Sequence, residues 1–160
     1  MSNPKPTRVL FVCLGNICRS PTAEAVFRTL VEREGVADHV DVDSAGTGGW
    51  HVGEGPDPRM VEAGRRRGHQ LGGPARQVDV DDFERFDLIL AMDAANFAEL
   101  KRRAPESATA EVRLFREFDP EAPGGDVPDP YYGGRSGFDD VVDIVERTSA
   151  ALLEHVRGRA

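Results

Sequence analysis

Apolar residues follow two rhythms along the chain, short unbroken runs and positions three or four apart, and the two alternate. The run Arg8–Cys13 (RVLFVC) is β-branched and aromatic without a polar face, which predicts a strand buried on both sides. Gly15 and Asn16 break it. Ser20 can then cap a helix whose first position suits Pro21, and Ala23, Val26, Phe27, Leu30 and Val31 recur at helical spacing until Gly35. From His39 to Ser44, Val40 and Val42 alternate with polar residues and predict a second strand, ending in the loop Ala45-Gly46-Thr47-Gly48-Gly49 before Trp50. Met60, Ala63, Gly64 and Arg67 suggest a modest helix after Asp57-Pro58, and Phe86–Met92 (FDLILAM) reads as a third buried strand. Asp93 can cap the next helix, which runs through Phe97 and Leu100 to the basic turn Lys101-Arg102-Arg103 and stops before Pro105. Glu111–Leu114 is a fourth strand candidate, 119–137 is a long segment rich in Pro, Gly and Asp, and Phe138, Val141, Val142, Val145, Leu152 and Val156 draw the stripe of a last helix.

Strands alternating with helices predict an α/β chain: a single three-layer domain with a four-stranded parallel sheet and helices on both faces. Ligands bind such sheets at the carboxyl ends of the strands. The domain is expected over 8–157, after a flexible N-terminus at 1–7, with no internal repeat or linker.

Composition narrows the functional classes. A chain of 160 residues, 39% hydrophobic and 30% charged, supports one core. Its formal charge of -8 repels polyphosphate and anionic lipid, so neither nucleic acid nor membrane is an expected partner. No segment approaches the roughly 20 apolar residues that span a bilayer, and the start Met1-Ser2-Asn3-Pro4-Lys5-Pro6 lacks the apolar run of a signal peptide, which points to the cytoplasm. The only two cysteines, Cys13 and Cys18, lie in one short segment, and four scattered histidines make a zinc site improbable. Two readings of the pair stand side by side, reactive thiols or small buried hydrophobes.

The placement of Cys13 favours reactivity. It ends the first strand, and Arg19 follows after five residues, just where a helix begins. A loop between strand and helix can aim successive backbone N–H groups inward as an anion nest, to which the helix N-terminus adds positive potential. A guanidinium on that loop offers two parallel donors to a tetrahedral oxyanion. Such surroundings lower a thiol pKa from about 8.5 toward roughly 3.5 to 7.5, so the loop would both bind phosphate and attack it. Gly15 permits the tight backbone, Asn16 tolerates left-handed geometry, and Ser20 has two possible tasks, capping the helix or donating to the Cys13 sulfur. Expelling a phenolate would also need an acid, and composition does not choose one among 28 acidic residues, of which the late loop alone offers Asp119, Asp126 and Asp129; Asp129-Pro130 by itself reads more readily as the start of a turn.

The string Val12-Cys13-Leu14-Gly15-Asn16-Ile17-Cys18-Arg19-Ser20-Pro21 resembles the signature of the low-molecular-weight protein tyrosine phosphatases. Asp43-Ser44-Ala45-Gly46-Thr47 and Asp129-Pro130-Tyr131-Tyr132-Gly133 resemble two further segments of that family, in the same order. The resemblance implies metal-independent, cofactor-free hydrolysis of phosphotyrosine through a phosphocysteine at Cys13, with Arg19 holding the phosphoryl group and Asp129 serving as acid and then base. Leu14, Gly15, Asn16, Ile17, Cys18 and Ser20 would complete the phosphate-binding loop, and Ser44 would support it. Trp50, Tyr131 and Tyr132 would line the rim around an aryl phosphate. Implied partners are tyrosine-phosphorylated proteins and small aryl phosphates, with phosphate and other oxyanions as inhibitors. By the same resemblance Cys18 can form a protective disulfide with Cys13 under oxidation, against the plain alternative of a packing residue. The chain departs from many relatives in lacking a histidine over Gln70-Leu71-Gly72-Gly73-Pro74-Ala75, beside which His69 stands. Two rival readings fit less well: an arsenate reductase needs cysteines after Cys18, and a non-catalytic phosphate-binding module needs neither nucleophile nor acid. The Gly-x4-Gly-Lys-Ser/Thr loop of nucleotide enzymes is absent.

Overall fold

Strand β1 (Thr7–Cys13) lies inside the sheet, paired in parallel with β2 (Val40–Gly46) on one side and β3 (Leu88–Ala91) on the other. β3 pairs in parallel with β4 (Glu111–Leu114), so the order is β2-β1-β3-β4. This computed structural model describes residues 5–130 and 135–158, so most of the expected flexible N-terminus, and Tyr131 and Tyr132, lie outside the described residues. Thr7, expected to precede the domain, is the first residue of β1.

The period of two along β1 divides the core. Val9, Phe11 and Cys13 face α1 (Arg19–Arg33), α2 (Pro58–Arg65) and α5 (Arg135–Arg157), packing with Val26, Phe27, Met60, Phe138, Val141, Val142 and Val145. Leu10 and Val12 face the other way, onto α3 (Asp82–Arg85) and α4 (Ala94–Arg103), with Phe83, Ile89, Leu100 and Val112. Burial on both faces explains why β1 has no polar alternation, and the layers are the three expected. Among the described residues no helix is long and apolar enough to cross a membrane.

Several expected boundaries move for local reasons. Asp57 and Asp93 cap α2 and α4 by accepting the N–H groups of Arg59 and Asn96. Ser20, by contrast, does not cap α1: the helix starts at Arg19, Cys18 takes the cap position without a side-chain bond, and the Ser20 hydroxyl turns elsewhere. α5 begins at Arg135 rather than Phe138, inside the segment expected to be a loop. The one-turn helix α3 was not anticipated, since four residues carry too little periodicity to register.

Phe11 ties α1 and the turn after β4 to one face of the sheet. It is fully buried and meets Phe27 of α1 and Phe115, just past β4, edge to face at centroid distances of 5.8 and 5.4 Å. Phe11→Ala is expected to cost about 3–5 kcal/mol of stability in urea unfolding, with the slope of the transition unchanged.

Candidate active site

The candidate site gathers at the carboxyl ends of the strands, where β1 lies between β2 and β3 and the connections depart in opposite directions. The loop from Cys13 to Cys18 is held from outside by its carbonyls. The Cys13 oxygen accepts from the Thr47 amide, Leu14 from Gly48 and Ile17 from Asp57, all at 2.8–2.9 Å. A trans peptide sets each carbonyl antiparallel to the next N–H, so these bonds turn the amides of Leu14, Gly15 and Cys18 toward the interior. The fixing segment lies very close: a Cβ on Gly46 would come within 2.7 Å of the Leu14 oxygen, so glycine is required there. Asn16 takes the left-handed conformation at φ 57°, which its short polar side chain tolerates.

The sulfur of Cys13, 2% exposed, receives the Asn16 amide at 3.3 Å and lies 3.0 Å from the Ser20 hydroxyl. A chain of donors orients that hydroxyl. The Asn16 side-chain amide donates to the oxygens of Ser20 (2.8 Å) and Ser44 (3.0 Å), and its own oxygen accepts the Arg76 amide at 3.0 Å, which sets the amide's orientation. Ser44 donates in turn to Glu24 at 2.5 Å, a carboxyl that burial pushes above its usual pKa. The Ser20 hydroxyl, which accepts from Asn16, has two acceptors within reach of its own proton, the Cys13 sulfur at 3.0 Å and the Ala45 carbonyl at 3.4 Å. The missing histidine therefore leaves the support of the loop intact, with Glu24 as its outer acceptor. His69 does not replace it: it is buried between α1 and α5, bonded to Thr29 and Glu146.

Arg19, 3% exposed, opens α1 beneath the same cavity. Its Nη1 donates to Asp93 at 2.6 Å and to the Val127 carbonyl at 3.1 Å, and its Nη2 lies 3.5 Å from Asp129. Burial alone would lower the guanidinium pKa, but the charges of Cys13, Asp93 and Asp129 outweigh it and hold the group above the usual arginine value. Asp93 thus has two duties, one oxygen capping α4 and the other anchoring Arg19. The cap is legible from local sequence; the arginine partner is not, although the position of Asp93 just past the end of β3 points toward the loop.

These groups surround one cavity of about 330 Å³ whose walls include Cys13, Ile17, Cys18, Arg19 and Asp129, with Leu14, Trp50 and His51 at the mouth. Trp50 is 73% exposed and Leu14 43%, so the mouth carries a free apolar surface. His51, which the sequence pattern did not single out, is held by Glu54 at 2.7 Å. Asp119 and Asp126, the other acids considered with Asp129, serve elsewhere: Asp119 is buried against Arg116 and Arg147, and Asp126 accepts the Ala94 amide at the start of α4. Among the described residues no three histidine, cysteine or acidic side chains are placed to hold a metal ion. The arrangement can bind a tetrahedral oxyanion against the Cys13 sulfur, with the Asp129 carboxyl lining the same cavity.

Burial, with the charges of Asp57, Cys13 and Asp129 adding to it, pushes Cys18 up to about 12. The Cys13 sulfur, by contrast, accepts the Asn16 amide and lies 3.0 Å from the Ser20 hydroxyl. Brief treatment of the native protein with iodoacetamide at pH 7 is expected to label Cys13 and spare Cys18 in a peptide map, with inorganic phosphate protecting Cys13.

The sequence model of "Low molecular weight phosphotyrosine protein phosphatase" matches residues 8–159. A low molecular weight protein-tyrosine-phosphatase of Streptomyces coelicolor is 53% identical, with 96% of this chain and 98% of that protein covered. A low molecular weight phosphotyrosine protein phosphatase of Schizosaccharomyces pombe is 49% identical, covering 85% of this chain and 88% of that one. Among solved structures, the protein tyrosine phosphatase of Entamoeba histolytica with Hepes in the active site superposes with a TM-score of 0.91 at 41% identity, over 96% of this chain and 99% of that one.

Proposed function

The chain belongs to the low molecular weight phosphotyrosine protein phosphatase family and is a protein tyrosine phosphatase, and we propose that it works through a phosphocysteine on Cys13. One observation carries the assignment: the Cys13 sulfur, the Arg19 guanidinium and the Asp129 carboxyl share one cavity, and the sulfur is met by the Asn16 amide and the Ser20 hydroxyl.

The phosphoryl group of the substrate enters the ring of inward amides. Arg19 grips two of its oxygens through Nε and Nη2, since Nη1 is anchored on Asp93 and Val127. The Cys13 thiolate attacks phosphorus in line as the bond to the phenolic oxygen breaks. Asp129, in its acid form, gives its proton to that oxygen, so phenol leaves rather than phenolate. The Asp129 carboxylate then takes a proton from water, whose oxygen attacks phosphorus and breaks the S–P bond. Sulfur departs as thiolate, stabilised by Ser20 and Asn16, and phosphate leaves. Leu14, Gly15, Ile17 and Cys18 shape the ring, and Ser44 holds Asn16.

The apolar mouth at Trp50 and Leu14 suits an aromatic ring, with Tyr131 and Tyr132 expected beside it. A phosphoserine is too short to bring its phosphorus to Cys13 from that mouth. The substrates are tyrosine-phosphorylated proteins and small aryl phosphates, and phosphate and related oxyanions compete for the ring. No metal or organic cofactor enters this scheme. Cys18, five residues along the same loop and also a free thiol, is the candidate resolving partner after oxidation of Cys13. Two free thiols suit a reducing compartment, in keeping with the expected cytoplasmic address.

Turnover of p-nitrophenyl phosphate should persist in the presence of a chelator and vanish in Cys13→Ser. Asp129→Asn should lower kcat by about 10²–10⁴ with substrate binding largely retained. An Asp129→Asn protein as active as the wild type would move the acid to another residue.

A further inference from the structure

We propose that Arg116 is a positioning residue for the general acid, because the loop that leads to Asp129 is wound around its side chain. This rests on the reading of Asp129 given above. Arg116 sits in the 3-10 turn Phe115–Phe118 that follows β4, and its side chain is only 13% exposed. Its carbonyl accepts the amides of Asp119 at 3.0 Å and Gly124 at 2.9 Å. Its guanidinium grips both ends of the same loop: Nε donates to Asp119 at 2.9 Å and Nη1 to the Asp126 carbonyl at 2.7 Å. The chain passes so near that a Cβ on Gly125 would stand 3.4 Å from Nη1 and 3.2 Å from the Ala122 oxygen. A planar fork with donors on two edges can hold a carboxylate and a carbonyl at once, which a lysine ammonium on a flexible stem does poorly.

What this clamp sets is the starting point of the last stretch before the acid. From Asp126 onward the chain is tied directly to the site: the Asp126 carboxylate accepts the Ala94 amide, the Val127 amide donates to Met92 at 2.7 Å, and the Val127 carbonyl receives Arg19. Asp129 follows two residues later, its carboxylate 3.5 Å from Arg19. Asp119 has a second holder, since Arg147 of α5 donates to both its oxygens at 2.8 and 2.9 Å. Removing Arg116 therefore leaves Asp119 paired. Among the described residues Arg116 alone donates to the Asp126 carbonyl, so without it the segment before the acid keeps only its bonds to Ala94, Met92 and Arg19 and holds Asp129 less precisely, while the ring around Cys13 is untouched.

A drifting acid has a kinetic signature that general loosening lacks. A phenol of ordinary pKa near 10 needs its oxygen protonated as it leaves, whereas a strongly acidic phenol does not. The experiment compares kcat/KM, which reports formation of the phosphoenzyme, for phenyl phosphate and for difluoromethylumbelliferyl phosphate. Wild type, Arg116→Met, Arg147→Met and Asp129→Asn are measured together, with thermal melts. Arg116→Met is expected to lose about tenfold on phenyl phosphate and less than about twofold on the activated ester. Arg147→Met should melt lower but keep the wild-type ratio of the two substrates. Equal losses of Arg116→Met on both substrates, or the same ratio change in Arg147→Met, would overturn the proposal. Should Arg116→Met fail to fold, Arg116→Lys is read by the same ratio. An Asp129→Asn ratio identical to wild type would overturn the premise instead, and so separates the two failures.

Discussion

The outward hydrogen bonds of the Cys13, Leu14 and Ile17 carbonyls are the constraint on which the site depends. They are backbone to backbone, so they demand no particular side chains, yet they decide which way the peptide planes of the loop face. With the carbonyls committed to Thr47, Gly48 and Asp57, the amides have one direction left, toward the cavity. Three segments distant in sequence are therefore needed to make one anion nest. The close approach at Gly46 is the local cost of bringing the first of them near enough.

Around this nest, charge is placed from the ends of neighbouring strands. Cys13 comes from β1, Asp93 follows β3, and Val127 and Asp129 lie on the segment that β4 and its turn lead into. Arg19 joins them: Nη1 is spent on Asp93 and Val127, and Nη2 lies 3.5 Å from Asp129. A second chain of contacts runs beneath the loop through Ser20, Asn16, Ser44 and Glu24, with Asn16 donating to both serines and Ser44 to Glu24. The sulfur thus meets donors from the loop backbone and from this buried relay.

How much of this could be read from residues alone varied with the range of the interaction. β1 was legible because burial on both faces leaves an unbroken apolar run, and α4 because its cap, stripe and basic end all lie within a dozen residues. Ser20 shows the limit of local reading: a serine before Pro21 satisfies every rule for a helix cap, and only the sulfur of Cys13, placed beside it by the fold, draws the hydroxyl away. Asp93 was legible as a cap but not as the anchor of Arg19, 74 residues earlier. Glu24 and Arg76 gave no signal at all, since one acid on a helix and one arginine in a loop are unremarkable until the sheet brings Ser44 and Asn16 to them. Asp129 became distinctive only through its resemblance to the family segment.

The central claim is that phosphate passes through a covalent bond to Cys13, and rapid chemical quenching during turnover tests it most directly. The enzyme would be mixed with p-nitrophenyl phosphate, stopped in acid within milliseconds, digested and examined by mass spectrometry. The account predicts a transient phosphoryl group on the peptide that contains Cys13, appearing with the burst of nitrophenol and decaying as phosphate is released. Turnover without that adduct, or with the phosphoryl group on any other residue, would contradict it.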